Sequence, residues 1–299
     1  MVKLKLLKYK IEYFLFLFVK KILLLFPEKA RFSFAESLGK ISYYLIKKRR
    51  LIATYNIKLA FPDLSNAEVE KIAKKSYQIM AKTFISSLWY DTYVKNPNNI
   101  KVVNKELALK LYNKGHGIIG ATMHMGNLEM PCVALNEYKT VALAKRQKNP
   151  YMNDFITNSR EKYLGIKILQ KSKHITKQII QYIKDGYIIG LLSDHRDKGT
   201  HVNFFGKETV APTGAVSLAL KYNVPLVFAY CILNDDNTCT VFVQEEIKLI
   251  CTDNFKYDVH DNTQLLIHKM EDVIRKYPEQ WMWFHDRWNI YKEISQKKK

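Results

Sequence analysis

The sequence predicts an α/β fold: a mixed, mostly parallel central sheet flanked by helices, with a helical, membrane-associated region at the amino end. Three observations carry the prediction. From Ile100 onward, short apolar runs alternate with longer segments of helical periodicity, which is the pattern of strands joined by covering helices. Residues 31–95 read as helices, a cap on that sheet. Residues 1–30 mix lysines with long apolar runs. At 299 residues and 47% hydrophobic, with 11 glycines and 8 prolines, the chain can bury a substantial core in one main domain with an appendage, which excludes a disordered protein.

Residues 1–30 are expected to be an anchor, either an interfacial helix or a single span. The run Ile11-Glu-Tyr-Phe-Leu-Phe-Leu-Phe-Val19 is followed by Lys20-Lys21 and then Ile22-Leu-Leu-Leu-Phe26. A span needs about 20 consecutive apolar residues, so the lysine pair favours a helix lying in the interface, its apolar side among acyl chains. The charge agrees. Residues 1–50 hold ten Lys and three Arg against three Glu, a net of +10, half of the formal +20 of the chain. Lysines interleaved with membrane-type apolar residues suit an anionic lipid surface, each contributing on the order of 1 kcal/mol; nucleic-acid binding calls for a basic stripe on a more polar module. No small-residue cleavage site follows the apolar run, so it is not read as a removed signal peptide.

Helical periodicity runs through Arg31 to Arg50 and breaks at Phe61-Pro62-Asp63. Ser65-Asn-Ala-Glu68 is a capping box, and Val69, Ile72, Ala73, Tyr77, Met80, Phe84 and Leu88 then recur on one face, predicting a helix over 66–90. The α/β part, residues 96–292, follows. Strands are expected at 117–123, 139–144, 166–170, 187–193, 224–230 and 239–245. Helices are expected from about 127 and at 151–164, 173–185, 213–222 and 261–276. Residues 293–299 form a basic, solvated tail.

In such sheets the site lies beyond the carboxyl ends of the strands, where His124 and Asp194 both fall. The strand at Ile118 ends in His124, and Glu129 follows five positions on. On one helix that offset would set the two side chains roughly 140° apart. Gly126-Asn127 breaks the run and lets them fold into contact. Glu129 would then hold one ring nitrogen of His124 and leave the other as a general base toward a hydroxyl. Gly115-His-Gly-Ile-Ile-Gly120 spells a dinucleotide fingerprint, but its glycines precede the strand instead of opening a helix, so it is read as a turn and a strand glycine.

Asp194-His195-Arg196-Asp197 crowds charge at a second strand end. These residues with His124 and Glu129 include metal-ligating types but lack a recognisable metal spacing, so no metal is expected. Asp194 is instead read as a site carboxylate organising basic residues. The segment Phe204 to Gly214 is read as the wall of a chain-binding groove. Arg146 and Arg160 supply guanidinium groups suited to phosphate or carboxylate. Pro278 to Trp288 gathers three of the four tryptophans, for packing or an interfacial aromatic belt. The four cysteines show no paired or zinc-type spacing and are expected to be free thiols.

Taken together, His124-Met-Gly-Asn-Leu-Glu129, Asp194-His195, Phe205-Gly206 through Pro212-Thr-Gly214, and Pro278-Glu-Gln-Trp-Met-Trp-Phe-His285 resemble the late acyltransferases of lipid A biosynthesis. Asn56 with Ala60-Phe61-Pro62 matches that family's early helical segment. The resemblance covers roughly residues 30 to 290. It implies a glycerolipid-acyltransferase-like fold at the cytoplasmic face of the inner membrane. It also implies transfer of a fatty acyl chain from acyl carrier protein or coenzyme A to a hydroxyl of a lipid A precursor. No cofactor and no nucleic acid are implied. His124 and Glu129 would be the catalytic pair, with Arg146, Arg160, Asp194, Gly126 and Asn127 toward substrate, and backbone donors near Gly126 would serve the oxyanion. Leu128 stands where a tryptophan is common in the family's motif, which alters the local pocket shape. The residues alone also admit another membrane-lipid acceptor, such as a lysophospholipid or glycosylated phosphoinositide, and a metal-dependent hydrolase.

Overall fold

The computed structural model describes residues 2–135, 137–170, 172 and 174–291. Four helices come first: α1 Val2–Leu24, α2 Glu28–Leu45, α3 Lys47–Ala60 and α4 Asn66–Ser86, followed by the short α5 Tyr90–Tyr93. The α/β part then runs β1 Ile100–Val103, α6 Lys105–Tyr112, β2 Ile118–Thr122, α7 Met130–Val133, β3 Thr140–Ala144, α8 Pro150–Leu164 and β4 Lys167–Gln170. It continues α9 Ile175–Lys184, β5 Ile188–Leu192, β6 Thr200–Phe204, β7 Lys207–Ala211, α10 Gly214–Tyr222, β8 Leu226–Leu233, β9 Cys239–Glu246 and α11 Phe255–Lys276.

Among the described residues, seven strands form one sheet in the order β1-β9-β8-β2-β5-β3-β4, and β6 and β7 form a separate hairpin. Every neighbouring pair in the large sheet is parallel except β8 with β9. The centre of the sheet is apolar on both faces, as covering helices require: Ile119, Ile189 and Phe228 are buried on one face and Ile118, Ile188 and Val227 on the other. The expected mixed, mostly parallel sheet flanked by helices is the one observed. In β2 and β5, Thr122 lies opposite Leu192, and the ladder is extended by Ser193 N donating to Thr122 O at 2.9 Å. His124 and Asp194 thus leave the sheet as neighbours.

The capping box forms as read: Ser65 N donates to Glu68 Oε2 at 2.8 Å, and Glu68 N to Ser65 Oγ at 3.3 Å. The helix it starts ends at Ser86 and passes through a 3-10 turn at Ser87–Trp89 instead of reaching residue 90. The helix expected from 127 is only the single turn α7, because Gly126 turns the chain with φ +51 and Pro131 lies at the helix start. The last helix begins at Phe255, six residues early, capped by Asn254 accepting from Tyr257 N at 3.1 Å. The proposed groove wall at 204–214 is corrected: it is mostly the β6–β7 hairpin. Its turn is Phe205-Gly206, both at positive φ (52 and 74), a conformation that a phenylalanine seldom adopts and that no Asn-Gly signal announced. Phe205 is held there by edge-on packing against Phe61 at 5.6 Å between centroids.

Among the described residues no helix is long and apolar enough to cross a membrane. α1 lies against α8, with Tyr13 stacked on Tyr151 at 5.9 Å and Asn149 Nδ2 donating to Tyr9 O at 2.9 Å. Its opposite side stays uncovered: Leu4, Leu7, Ile11, Phe14, Leu15 and Phe18 are between 56% and 73% exposed. The basic tail 293–299 and the first residue of the helix expected at 173–185 lie outside the described residues.

The carboxyl-terminal aromatic segment straps the cap to the sheet. Asn56, fully buried on α3, donates through Nδ2 to Trp283 O at 2.8 Å and His285 O at 2.7 Å. Truncating it leaves those carbonyls without that partner, at about 1–3 kcal/mol for a buried group. Asn56→Ala is expected to lower the unfolding free energy by about 2 kcal/mol or more in urea denaturation; a loss under about 0.5 kcal/mol, the level of an ordinary surface change, would show that the strap is held by other contacts.

Candidate active site

The register of β2 and β5 delivers a buried hydrogen-bonded pair. His124 Nδ1 lies 2.8 Å from Asp194 Oδ1, and His124 N donates to Asp194 Oδ2 at 2.8 Å. Trp281 Nε1 donates to the same Oδ2, also at 2.8 Å. His124 is 8% exposed and Asp194 1%, so the carboxylate depends on these partners in place of water. Burial opposes its charge, yet the His124 ring and amide, with His195 nearby, hold the Asp194 carboxyl below the usual carboxylate range. An ionised Asp194 fixes the proton on Nδ1 and leaves Nε2 with a free lone pair.

The expectation that Glu129 orients His124 is therefore corrected: the carboxylate on the ring is Asp194. Glu129 instead receives the Arg160 guanidinium from α8, with Nε 3.0 Å from both carboxylate oxygens. Both side chains are largely shielded, 13% and 26% exposed. Burial works against the Arg160 charge, and hydrogen bonding to Glu129 more than restores it, so the net shift is upward. Arg160 is thus committed to a protein carboxylate, and Arg146 lies exposed on the β3–α8 loop. Gly126 N donates to Gln280 O at 3.0 Å and is spent as an oxyanion donor. A Cβ on Gly126 would come 2.2 Å from Cys231 O, so glycine is required where the turn crosses β8. Asn127, buried, accepts from Tyr90 OH at 3.2 Å and braces the turn from within.

His124 and Glu129 line one pocket of about 400 Å³. Its walls are apolar, including Leu128, Cys132, Leu143, Ile166, Ile168 and Gly190, and Arg160, Lys145 and Gln147 stand among its polar lining. A histidine at one point of a largely apolar cavity suits chemistry at one position on a long hydrocarbon substrate.

Sequence reasoning missed a stack of three imidazoles. His195 lies on His124 at 3.7 Å between centroids and 5° between planes, and His285 lies on His195 at 4.2 Å and 20°. Arg196 N donates to His285 Nε2 at 3.2 Å. All three rings stood in motifs already noted, but the Arg196–His285 contact, 89 residues apart in sequence, has no local signature. His124, Asp194 and His195 offer ligand atoms within 4.8 Å of one another. Parallel rings direct their lone pairs side by side instead of at a common point, and both Asp194 oxygens already accept hydrogen bonds. The arrangement therefore suits proton transfer better than metal coordination.

Burial lowers the His195 pKa to about 4, and burial beside His195 lowers His285 to about 3. The unfolded chain takes up protons there that the folded one refuses, so stability falls as pH drops through about 6.5 toward about 4. Each ring contributes a slope of up to about 1.4 kcal/mol per pH unit in that window. Denaturant unfolding at stepped pH is expected to show this slope, and the double variant His195→Phe, His285→Phe to flatten it. An unchanged slope would place the acid sensitivity elsewhere.

The sequence matches the family profile of bacterial lipid A biosynthesis acyltransferases over residues 2–290. It is 20% identical over 259 residues to the lipid A biosynthesis palmitoleoyltransferase of Escherichia coli strain K12, covering 84% of this chain and 82% of that protein. It is 23% identical over 268 residues to the lipid A biosynthesis myristoyltransferase of the same strain, covering 86% and 80%. A match at 24% to lipid A biosynthesis acyltransferase 2 of Shigella flexneri spans 169 residues, 54% of this chain and 52% of the relative. With a strand-end histidine opening on an apolar pocket, and a family match over nearly its whole length, the chain belongs to the bacterial lipid A biosynthesis acyltransferases and is an acyltransferase.

Proposed function

We propose that the protein transfers a fatty acyl chain from acyl carrier protein to a hydroxyl of a lipid A precursor, working at the cytoplasmic face of the inner membrane. The observation that carries the reading is the buried Asp194–His124 pair facing an apolar pocket of about 400 Å³. With Nδ1 held by Asp194, Nε2 accepts the proton of the acceptor hydroxyl as its oxygen attacks the thioester carbonyl. The new carbon–oxygen bond gives a tetrahedral oxyanion. The carbon–sulfur bond then breaks, and the leaving thiolate takes the proton from His124. The imidazolium in between is stabilised by the ionised Asp194 beneath it, as in other carboxylate-held histidine bases.

The Glu129–Arg160 pair clamps the turn after His124 to α8 and so fixes one wall of the donor pocket. The uncovered apolar side of α1, with its lysines, supports attachment along the membrane interface. The excess of positive charge supports docking of an acidic carrier protein.

The test is acyl transfer by detergent-solubilised protein from an acyl carrier thioester to a tetra-acylated lipid A precursor bearing its inner-core sugar, read by mass spectrometry. The parent adds one acyl mass and His124→Ala adds none. Asp194→Asn is expected to lower kcat by about 10² to 10⁴, the usual worth of a positioned proton-transfer group. Glu129→Ala strands a shielded guanidinium and is expected to cost about 3–5 kcal/mol of stability along with activity. Full activity in Asp194→Asn, with Glu129→Gln inactive yet stable, would return the orienting role to Glu129.

A further inference from the structure

A second cavity, of about 590 Å³, lies between α2 and α4 and shares Phe84 and Met282 with the pocket at His124. Leu38, Ser42, Met80 and Ala81 line it, together with Phe284 and His285. His285 is the outer ring of the histidine stack, so the cavity ends two imidazoles from His124. Ile46 and Phe84, 48% and 52% exposed, line this cavity. Beside Ile46 the surface of α2 presents Ile41 and Leu45, 50% and 75% exposed. Directly after Ile46 come Lys47-Lys48-Arg49-Arg50, and Arg49 lines the cavity while donating to Phe284 O at 3.1 Å.

We infer that this groove receives one acyl chain of the acceptor, an anionic glycolipid, and that the cations of Lys47 to Arg50 take its phosphate. The inference rests on the transfer reaction proposed above. With the accepting hydroxyl taken as one borne partway along an acyl chain of the precursor, hydrocarbon remains beyond the reacting oxygen, and it needs an apolar cavity contiguous with the base yet separate from the donor's. The groove meets this need through its shared wall at Phe84 and Met282. Its rim joins an exposed apolar surface that a bilayer lipid can cross without leaving hydrocarbon, and the exposed Lys47, Lys48 and Arg49 open α3 beside it. The guanidinium groups expected to bind phosphate do not serve here, because Arg160 is held by Glu129 and Arg146 is not among the lining of either cavity.

Two measurements on the full chain decide it. A lipid A precursor carrying a diazirine at the end of its hydroxyacyl chain is irradiated with the protein, and labelled residues are mapped by mass spectrometry. Labels on Leu38, Met80 or Ala81 are expected; labels confined to the Ile166 and Ile168 walls, or absent from the groove, overturn the assignment. In steady-state kinetics, Ala81→Phe, which fills the groove, and Lys47→Glu, which reverses an exposed charge, are each expected to raise the acceptor KM about tenfold with the donor KM held within about twofold. Ala81→Leu serves if the phenylalanine variant does not fold. An acceptor KM that none of these variants moves overturns the inference. A parent enzyme that transfers nothing to this acceptor sinks the proposed reaction, while the labelling pattern still reports whether the groove holds the lipid chain.

Discussion

The geometry of the candidate site hangs on the register between β2 and β5. These strands are 70 residues apart in sequence, and pairing Thr122 with Leu192 is what sets His124 within 2.8 Å of Asp194. A slip of one residue would turn the slipped strand's side chains to the other face of the sheet and part the pair. The register is protected because both strands are buried: Ile119 and Ile189 are inaccessible, and Gly120 faces Gly190 in the ladder, leaving room where the pocket floor approaches. An ordinary packing constraint thus does the work of placing an ionised carboxylate under a histidine in a dry site.

Around that pair the protein uses residues from every part of the chain as supports. Thr83 of α4 holds Gly126 O, Tyr90 of α5 holds Asn127, and Trp281 holds Asp194. The supports share a logic, since each satisfies a polar group that the apolar surroundings would otherwise strand. The same demand explains why the cap and the carboxyl-terminal segment interlock: Asn56 and Ser76 both donate to carbonyls of the 281–285 strap.

Much of this was legible beforehand, for reasons that differ by element. The alternating order of strands and helices follows from periodicity, and the capping box at Ser65 from local chemistry, so both were readable. Residue types at strand ends marked His124 and Asp194 as site residues. Which carboxylate meets the histidine was not readable, because Glu129 is near in sequence whereas Asp194 is near only through the sheet. The claim of Arg160 on Glu129 and the stacking of His195 with His285 are long-range in the same sense. The β6–β7 hairpin hid because its turn uses a phenylalanine at positive φ, stabilised by aromatic neighbours from distant segments and not by turn propensity.

The indole that grips Asp194 belongs to Trp281, 87 residues after that carboxylate in a chain made amino end first. α1 is therefore made long before the strap to which Trp281 belongs. β1 likewise waits for β9, its ladder partner from Cys239 onward. Assembly is consequently ordered in time: the Asp194–His124 pair acquires its full set of partners only in the last steps of folding.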